Sequence, residues 1–386
     1  MKFWYDEDFK IGVLGGGQLG RMLIQEAANL DVSLCIMDKD PKAPAAKMAY
    51  EFYNADILDY DSVMEFGKDK DIITVEIENV NIEALEELEK QGIKVYPQPR
   101  VLRIISDKGL QKQFYADFNI PSAPFLLCEN LVDFKNNISK YPVVQKLRVG
   151  GYDGRGVNII RNTSDLDQLF DAPNVFEEIV DFDKEISVIV ARNEAGQIST
   201  FPVVECQFNS AANLVEFLFS PAIISEAIED EAIAIAEKTI KALDMVGILA
   251  VEMFVTKQGK VLVNESAPRP HNSGHHTIEC NSTSQFGQHL RAILNLPLGS
   301  TKLIRPGVVI NLLGAPNHYG KVHYENLEKV LSIPGVFIHL YGKSETKPFR
   351  KMGHITTVGR DLNAAIKKAK EVQELVHVKS KQQDFQ

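Results

Sequence analysis

At 386 residues the chain exceeds what one ordinary core serves, so two or three domains are expected. Hydrophobic content of 45%, charged content of 24% and a net charge of -10 fit a soluble globular protein and disfavour nucleic-acid binding as its main role, leaving room for a local basic pocket. Four scattered cysteines (Cys35, Cys128, Cys206, Cys280) without a CxxC, no membrane-length apolar run and no secretory-type N-terminus argue against zinc, a disulfide framework and membrane insertion, so the cytoplasm is expected.

KIGVLGGG reads as a strand running into a glycine turn, and QLGRMLIQEAANL as an amphipathic helix. VSLCIMD is a buried strand ending at Asp38. DIITVEIE, NIEALEELEKQ and IKVYP follow as strand, helix and strand. This βαβ rhythm implies a parallel sheet. Gly15, Gly17 and Gly20 match GxGxxG, and Asp38 lies where a dinucleotide fold would bind ribose. The motif is weak alone, because the same turn can bind a phosphorylated substrate, or nothing, at the helix N-terminus.

A helical stretch from Val101 to about Phe118 leads through IPSAPF to PVVQKLRVGGYDGRGVNII, which reads as strand, glycine loop, strand. Gly150, Gly151, Gly154 and Gly156 surround Tyr152, Asp153 and Arg155, with Lys146 just upstream. Such a loop can turn backbone N–H groups toward phosphate oxygens while the lysine neutralises charge. A long hairpin tip would explain the glycines but not the side chains between them, so a mobile phosphate-covering loop is expected. The pattern is not GxxxxGK[ST], which disfavours a P-loop NTPase. Glu177, Glu178, Ile179, Val180 and Glu185 are ambiguous: a solvated face, or an adenine-reading strand with a ribose-binding carboxylate.

After two more strands, FPVVECQF and LVEFLFSPA, and a helix over 229–244, the run VEMFVTKQGKVLVNES reads as a hairpin. A two-residue Gln258-Gly259 turn would pair Lys257 with Lys260 and carry Glu252 directly opposite Glu265. Like charges about 5 Å apart across a ladder are destabilising. A divalent cation between them would reverse that sign; otherwise the register differs, or both are solvated. The next residues, Arg269, Pro270, His271, Asn272, Ser273, Gly274, His275 and His276, form a proline-stiffened basic loop suited to a phosphate or carboxylate. A transition metal is a lesser alternative, because the spacing lacks a zinc signature. A helix over SQFGQHLRAILNL and a smaller α/β unit from about Leu303 follow. KPFRKMGH, containing Arg350 and Lys351, is either a surface loop or a device that draws in an anion. A last helix over 363–375 precedes a tail, KSKQQDFQ, expected to fray.

GGGQLGRM, GGYDGRG, NESAPRPHNSGHH and KPFRKMGH, in this order across nearly the whole chain, resemble the ATP-grasp superfamily and, within it, the N5-carboxyaminoimidazole ribonucleotide synthase family. The resemblance implies a mixed α/β and α+β chain. An N-terminal βαβ, biotin-carboxylase-like domain over 1–103 precedes an ATP-grasp domain over 104–302, with a lid near 122–182, and a small C-terminal domain over 303–386. It implies ATP-dependent carboxylation of 5-aminoimidazole ribonucleotide with bicarbonate through carboxyphosphate, with Mg²⁺, in a homodimer. Glu252 and Glu265 match the magnesium ligands, with Asn264 beside them. Lys146 and the loop Gly151, Tyr152, Asp153, Gly154, Arg155, Gly156 and Val157 match the ATP-phosphate site. Glu177, Glu178, Ile179 and Val180 match the adenine linker, and Glu185 the ribose contact. Tyr152, Asp153, Arg155, Arg269, His271, Asn272, Ser273, Arg350 and Lys351, with Gln18 and Glu76 from the first domain, look like residues around the ribonucleotide and carboxyphosphate. Two positions depart from the family pattern: Lys108 stands where an ATP-contacting arginine is expected, and Phe208 where a histidine is. A lysine keeps the charge but loses the bidentate fork.

Three rivals remain at this point: another ATP-grasp carboxylate–amine ligase, an NAD-dependent oxidoreductase built on the first glycine turn, and a non-catalytic nucleotide-binding regulator.

Overall fold

The computed structural model describes residues 2–137, 141–151, 156–209 and 214–381. Tyr152, Asp153, Gly154 and Arg155 therefore lie outside the described residues.

The first hundred residues form a parallel sheet in the spatial order Glu51–Tyr53, Ser33–Met37, Lys10–Leu14, Ile72–Val75, Lys94–Val95. The apolar run on each inner strand is buried on both faces, as parallel strands under helices must be. Helices Gln18–Ala27, Tyr60–Gly67 and Ile82–Lys90 supply the cover. The expected helix over 101–118 is two helices, Pro99–Ser106 and Lys108–Asp117. Asp107 breaks the stretch: its backbone is extended, and its carboxylate accepts from the N–H groups of Gly109 and Leu110 as an N-cap.

A four-stranded antiparallel sheet follows, ordered Phe125–Cys128, Asn174–Glu178, Val143–Leu147, Val157–Ile160. The glycine loop joins its last two strands, as the strand–loop–strand reading expects.

The largest sheet has nine strands. Its main path runs Val261–Ala267, Gly247–Thr256, Phe182–Arg192, Val204–Asn209, Leu214–Ser220, Gly307–Leu313, Lys351–Val358, Val336–Leu340. The C-terminal unit therefore continues the central sheet edge to edge, through Leu214–Ser220 paired with Gly307–Leu313. Helix Glu226–Ala242 packs its apolar face (Ala232, Ile235, Ala236, Ile240) on one side of this sheet. Helix Gln285–Ile293 packs on Gln18–Ala27 of the first domain through Phe286, Leu290 and Ile293. Of the tail KSKQQDFQ expected to fray, Lys379 and Ser380 instead belong to a strand, while residues 382–386 lie outside the described residues. His377–Ser380 forms a strand paired with Gly320–Glu325, and Val378 is buried at its centre.

Candidate functional site

The hairpin that carries the two glutamates is built differently from its expected form, yet brings them to the same place. The loop has three residues rather than two. The Thr256 N–H donates to the Lys260 carbonyl and the Gly259 N–H to the Thr256 carbonyl, both at 2.8 Å. Gly259 takes φ +78°, the left-handed position that such three-residue loops reserve for glycine. This sets Val255 opposite Val261 and Met253 opposite Val263, one step off the expected register. A bulge at Asn264 then restores the step, so that Glu252 faces Glu265. The extra residue is placed so that the Asn264 side-chain oxygen accepts from Lys146 Nζ at 2.9 Å.

Each carboxyl of this rung meets a different field. Lys108 Nζ donates to Glu265 Oε2 at 2.6 Å. The ammonium charge pulls Glu265 down to about 2. Burial and the Glu265 charge push Glu252 up to about 8. Glu185, on the neighbouring strand, is raised to about 7 by burial and again by Glu265. Three carboxylates thus share one corner of the sheet with the charges of Lys108, Lys146 and Lys351. Among the described residues, no group of three or more Cys, His, Asp or Glu side chains forms a complete metal cage. Two opposed carboxylates with open coordination suit a hard cation that takes its remaining ligands from phosphate oxygens and water.

A second cluster joins helix Lys108–Asp117 to strands Val143–Leu147 and Asn174–Glu178. Glu177 is buried, with Lys146 Nζ 3.0 Å and Lys112 Nζ 3.1 Å from its carboxylate oxygens as ion pairs. Its carboxylate is thus an ion-pair partner for two lysines, and the chain beyond it, from Glu178 to Val180, is more open. Lys112 was missed in the sequence. It follows Lys108 by one helical turn, and that spacing alone puts both ammoniums on one face. Burial lowers its pKa. Arg148, also unassigned, fixes the entry to this helix by a bidentate pair with Asp107 at 2.7–3.2 Å.

The basic loop after the hairpin is held from several sides. Arg269 forms a half-buried fork with Glu78 of the first domain at 2.7 and 2.9 Å. Glu78 follows Glu76 by two residues, just past the carboxyl end of strand Ile72–Val75, where ligand-side residues gather in open α/β sheets. His271 Nδ1 meets the Ser273 hydroxyl at 2.9 Å, and that hydroxyl meets Ser187 Oγ at 2.8 Å. Ser273 is buried and props the imidazole. Burial, reinforced by the Arg269 charge, lowers His271 to about 3, so the ring is neutral in ordinary buffers. His271 Nδ1 is 3.7 Å from Glu252 Oε1, which ties the loop to the carboxylate rung. Lys351 acts on the same place, since its charge bears on both Glu252 and His271. Arg350 is turned differently, donating to the Glu345 carbonyl at 2.7 Å.

The first glycine turn is filled from within. The Glu76 carboxylate accepts from the N–H groups of Gly17 and Leu19, both at 3.1 Å, and a Cβ on Gly17 would run into it. Asp38 turns inward to the Gly16 N–H at 2.7 Å. The positive end of helix Gln18–Ala27 therefore already holds an internal carboxylate, where a dinucleotide would place its pyrophosphate. Gln18, half-buried, opens that helix.

Among curated proteins, the chain is 38% identical over 354 residues to an N5-carboxyaminoimidazole ribonucleotide synthase from Synechococcus elongatus, covering 90% of this chain and 88% of that one. The chain belongs to the N5-carboxyaminoimidazole ribonucleotide synthase family. Family models match along its length: a ribonucleotide synthetase preATP-grasp domain at 9–106, an ATP-grasp domain at 113–286 and a phosphoribosylaminoimidazole carboxylase C-terminal domain at 307–368. The chain is thus an ATP-grasp ligase of this synthase family. The family's solved member from Thermotoga maritima superposes with a TM-score of 0.89 at 43% identity, covering 97% of this chain and all of that one. Another, from Aspergillus clavatus, solved with ADP and 5-aminoimidazole ribonucleotide, gives 0.85 at 31% identity, with 96% and 99% coverage. Some relatives are longer: the chain spans 65% of a chloroplastic phosphoribosylaminoimidazole carboxylase from Vigna aconitifolia, to which it is 38% identical. No described helix is long and apolar enough to cross a membrane.

Proposed function

We propose that this chain uses ATP and bicarbonate to carboxylate the exocyclic amine of 5-aminoimidazole ribonucleotide, giving N5-carboxyaminoimidazole ribonucleotide, ADP and phosphate. The observation that carries the reading is the convergence of an opposed carboxylate pair, a lysine cluster and the loop 269–276 at one corner of the sheet. The names and bound ligands of the relatives support it.

In this reading Lys108 and Lys146 orient the ATP phosphates, and the glycine loop, with Gly151, Gly156 and Val157 at its described ends, covers them. The strand ending at Glu177 and Glu178, with Ile179 and Val180, lines the adenine, and Glu185 receives the ribose. Glu252, Glu265 and Asn264 would hold a magnesium ion, which would neutralise charge developing on the phosphates. The fit rests on this chain's own geometry, because the two facing carboxylates repel each other and present hard oxygen donors.

A bicarbonate oxygen attacks the γ-phosphorus and the bond to ADP breaks, leaving carboxyphosphate. The substrate amine then attacks the carboxyl carbon, or CO2 freed from it, and phosphate leaves and takes up the amine proton. The protein's part is positioning and exclusion of water. His271 is neutral, and with Nδ1 held by Ser273, Nε2 is the nitrogen left for the substrate. Lys351 and Arg350 supply positive charge for the ribonucleotide phosphate, joined by Asn272, Gln18 and the glycine-loop residues Tyr152, Asp153 and Arg155. Arg269, Glu76 and Ser273 shape the pocket wall.

Divisions near residues 103 and 302, a homodimer and a cytoplasmic location belong to the same reading; four buried free cysteines suit a reducing compartment. A coupled ADP assay tests it. ADP should form only when both bicarbonate and 5-aminoimidazole ribonucleotide are present. Equal ADP release with unrelated amines, and none with this one, would refute it.

A further inference from the structure

Three imidazoles stack in one column where the loop 269–276 meets the C-terminal strands. The ring centroids of His275 and His354 are 4.5 Å apart, and those of His354 and His339 are 4.4 Å apart, with interplanar angles of 26° and 12°. His275 and His354 are buried. His339 faces His354 directly across the ladder between strands Val336–Leu340 and Lys351–Val358. Every ring is also tied laterally. The Tyr341 hydroxyl meets His354 Nδ1 at 3.0 Å, and His339 Nε2 meets Glu279 Oε1 at 2.6 Å. Gln285 reaches His275 Nδ1 at 3.2 Å, while its amide oxygen accepts from the His271 N–H and its amide nitrogen donates to the His271 carbonyl, both at 2.8 Å.

One side of the column is thus clamped to the backbone of His271. The other side is the strand that begins at Lys351, three residues before His354. Ordinary packing does not call for imidazoles here. Phenylalanine or leucine would fill the space without burying ring nitrogens, and a buried polar atom costs free energy unless it is paired. Burial holds His275 and His354 well below the ordinary histidine range, so neither inner ring carries charge into the stack.

We propose that the His275–His354–His339 column is a positioning device that fixes the spacing between His271 and Lys351, and so sets affinity for the ribonucleotide independently of ATP. This rests on the functional reading above, in which both residues face that substrate. His354 and its neighbours are positioning residues and do not touch the reacting atoms.

The test measures KM for 5-aminoimidazole ribonucleotide and for ATP in wild type, His354→Leu, His354→Asn and Tyr341→Phe. His354→Leu should raise KM for the ribonucleotide about tenfold and leave KM for ATP within about twofold, the effect of about one buried hydrogen-bonded link. His354→Asn, which restores a partner for the Tyr341 hydroxyl, should recover much of that loss. Tyr341→Phe removes one hydroxyl only, so it answers if His354→Leu fails to fold; it should raise the ribonucleotide KM about threefold. Equal rises in both KM values, or a lower melting temperature with both unchanged, would overturn the inference. Absence of turnover in wild type would overturn the assigned reaction and this inference with it.

Discussion

Glu252 and Glu265 stand on one rung of the hairpin, and their carboxyls are driven in opposite directions. The asymmetry follows from where the lysine sits: Lys108 reaches Glu265, while burial and the Glu265 charge both fall on Glu252. Like charges directly across a ladder oppose folding, so the rung holds a local instability that a bound cation would relieve.

That instability gives a pH signature in metal-free protein. Glu252 shifts from 4.5 to about 8 on folding, so the folded state binds its proton more tightly. Its contribution to stability is full below the unfolded value and fades as pH rises through about 8. Glu252→Gln should therefore stabilise the protein more at pH 8 than at pH 5, by about 1–3 °C in melting temperature, while turnover is lost. No change in that difference between the two pH values would mean that the rung is solvated.

Glu265→Gln removes the partner of Lys108 but also the charge that disturbs Glu252 and Glu185. These effects offset, so the melting temperature should stay near wild type while turnover falls at least about a hundredfold. A large loss of stability would make the pair structural.

Lys108→Arg should keep most activity, because charge and reach survive. Lys108→Met should raise KM for ATP about tenfold or more, the effect of losing one charge-assisted contact to phosphate. Equal kinetics for Met and Arg variants would show that Lys108 serves Glu265 alone.

Lys112→Met takes away one of the two partners of the buried Glu177. Breaking such a pair is costly, so denaturant titration should find a loss of about 1–3 kcal/mol. A neutral result would mean that Lys146 alone satisfies the carboxylate.

Glu78→Gln leaves the half-buried Arg269 fork short of its countercharge. A stability loss of about 1–3 kcal/mol is expected, with a higher KM for the ribonucleotide, because Arg269 opens the loop that carries His271. Unchanged affinity would detach this brace from the substrate.

Much of the site was legible because its motifs are local. The glycine loop, the hairpin glutamates and the basic loop each sit in one short window, and the alternating strands and helices follow from period. What the sequence hid was non-local. No window joins Glu78 to Arg269, 191 positions away, or Ser187 to Ser273, 86 away. The facing of Glu252 and Glu265 was expected from a two-residue turn. It arises from a longer loop and a compensating bulge, since period-2 reasoning cannot see an inserted residue. Lys112 was the avoidable omission, given its helical spacing from Lys108. The strand at His377–Ser380 was missed because a polar, lysine-bearing terminus looks frayed until its partner strand is known.

The shared sheet also limits how the chain can be cut. Removing everything after residue 302 would strip Gly307–Leu313 from Leu214–Ser220 and leave the backbone groups of that strand unpaired beside Phe217, Leu218 and Phe219. Such an edge invites pairing with another molecule. A fragment lacking the last eighty or so residues should therefore accumulate as aggregates, because the C-terminal unit is what covers that edge of the ligase core.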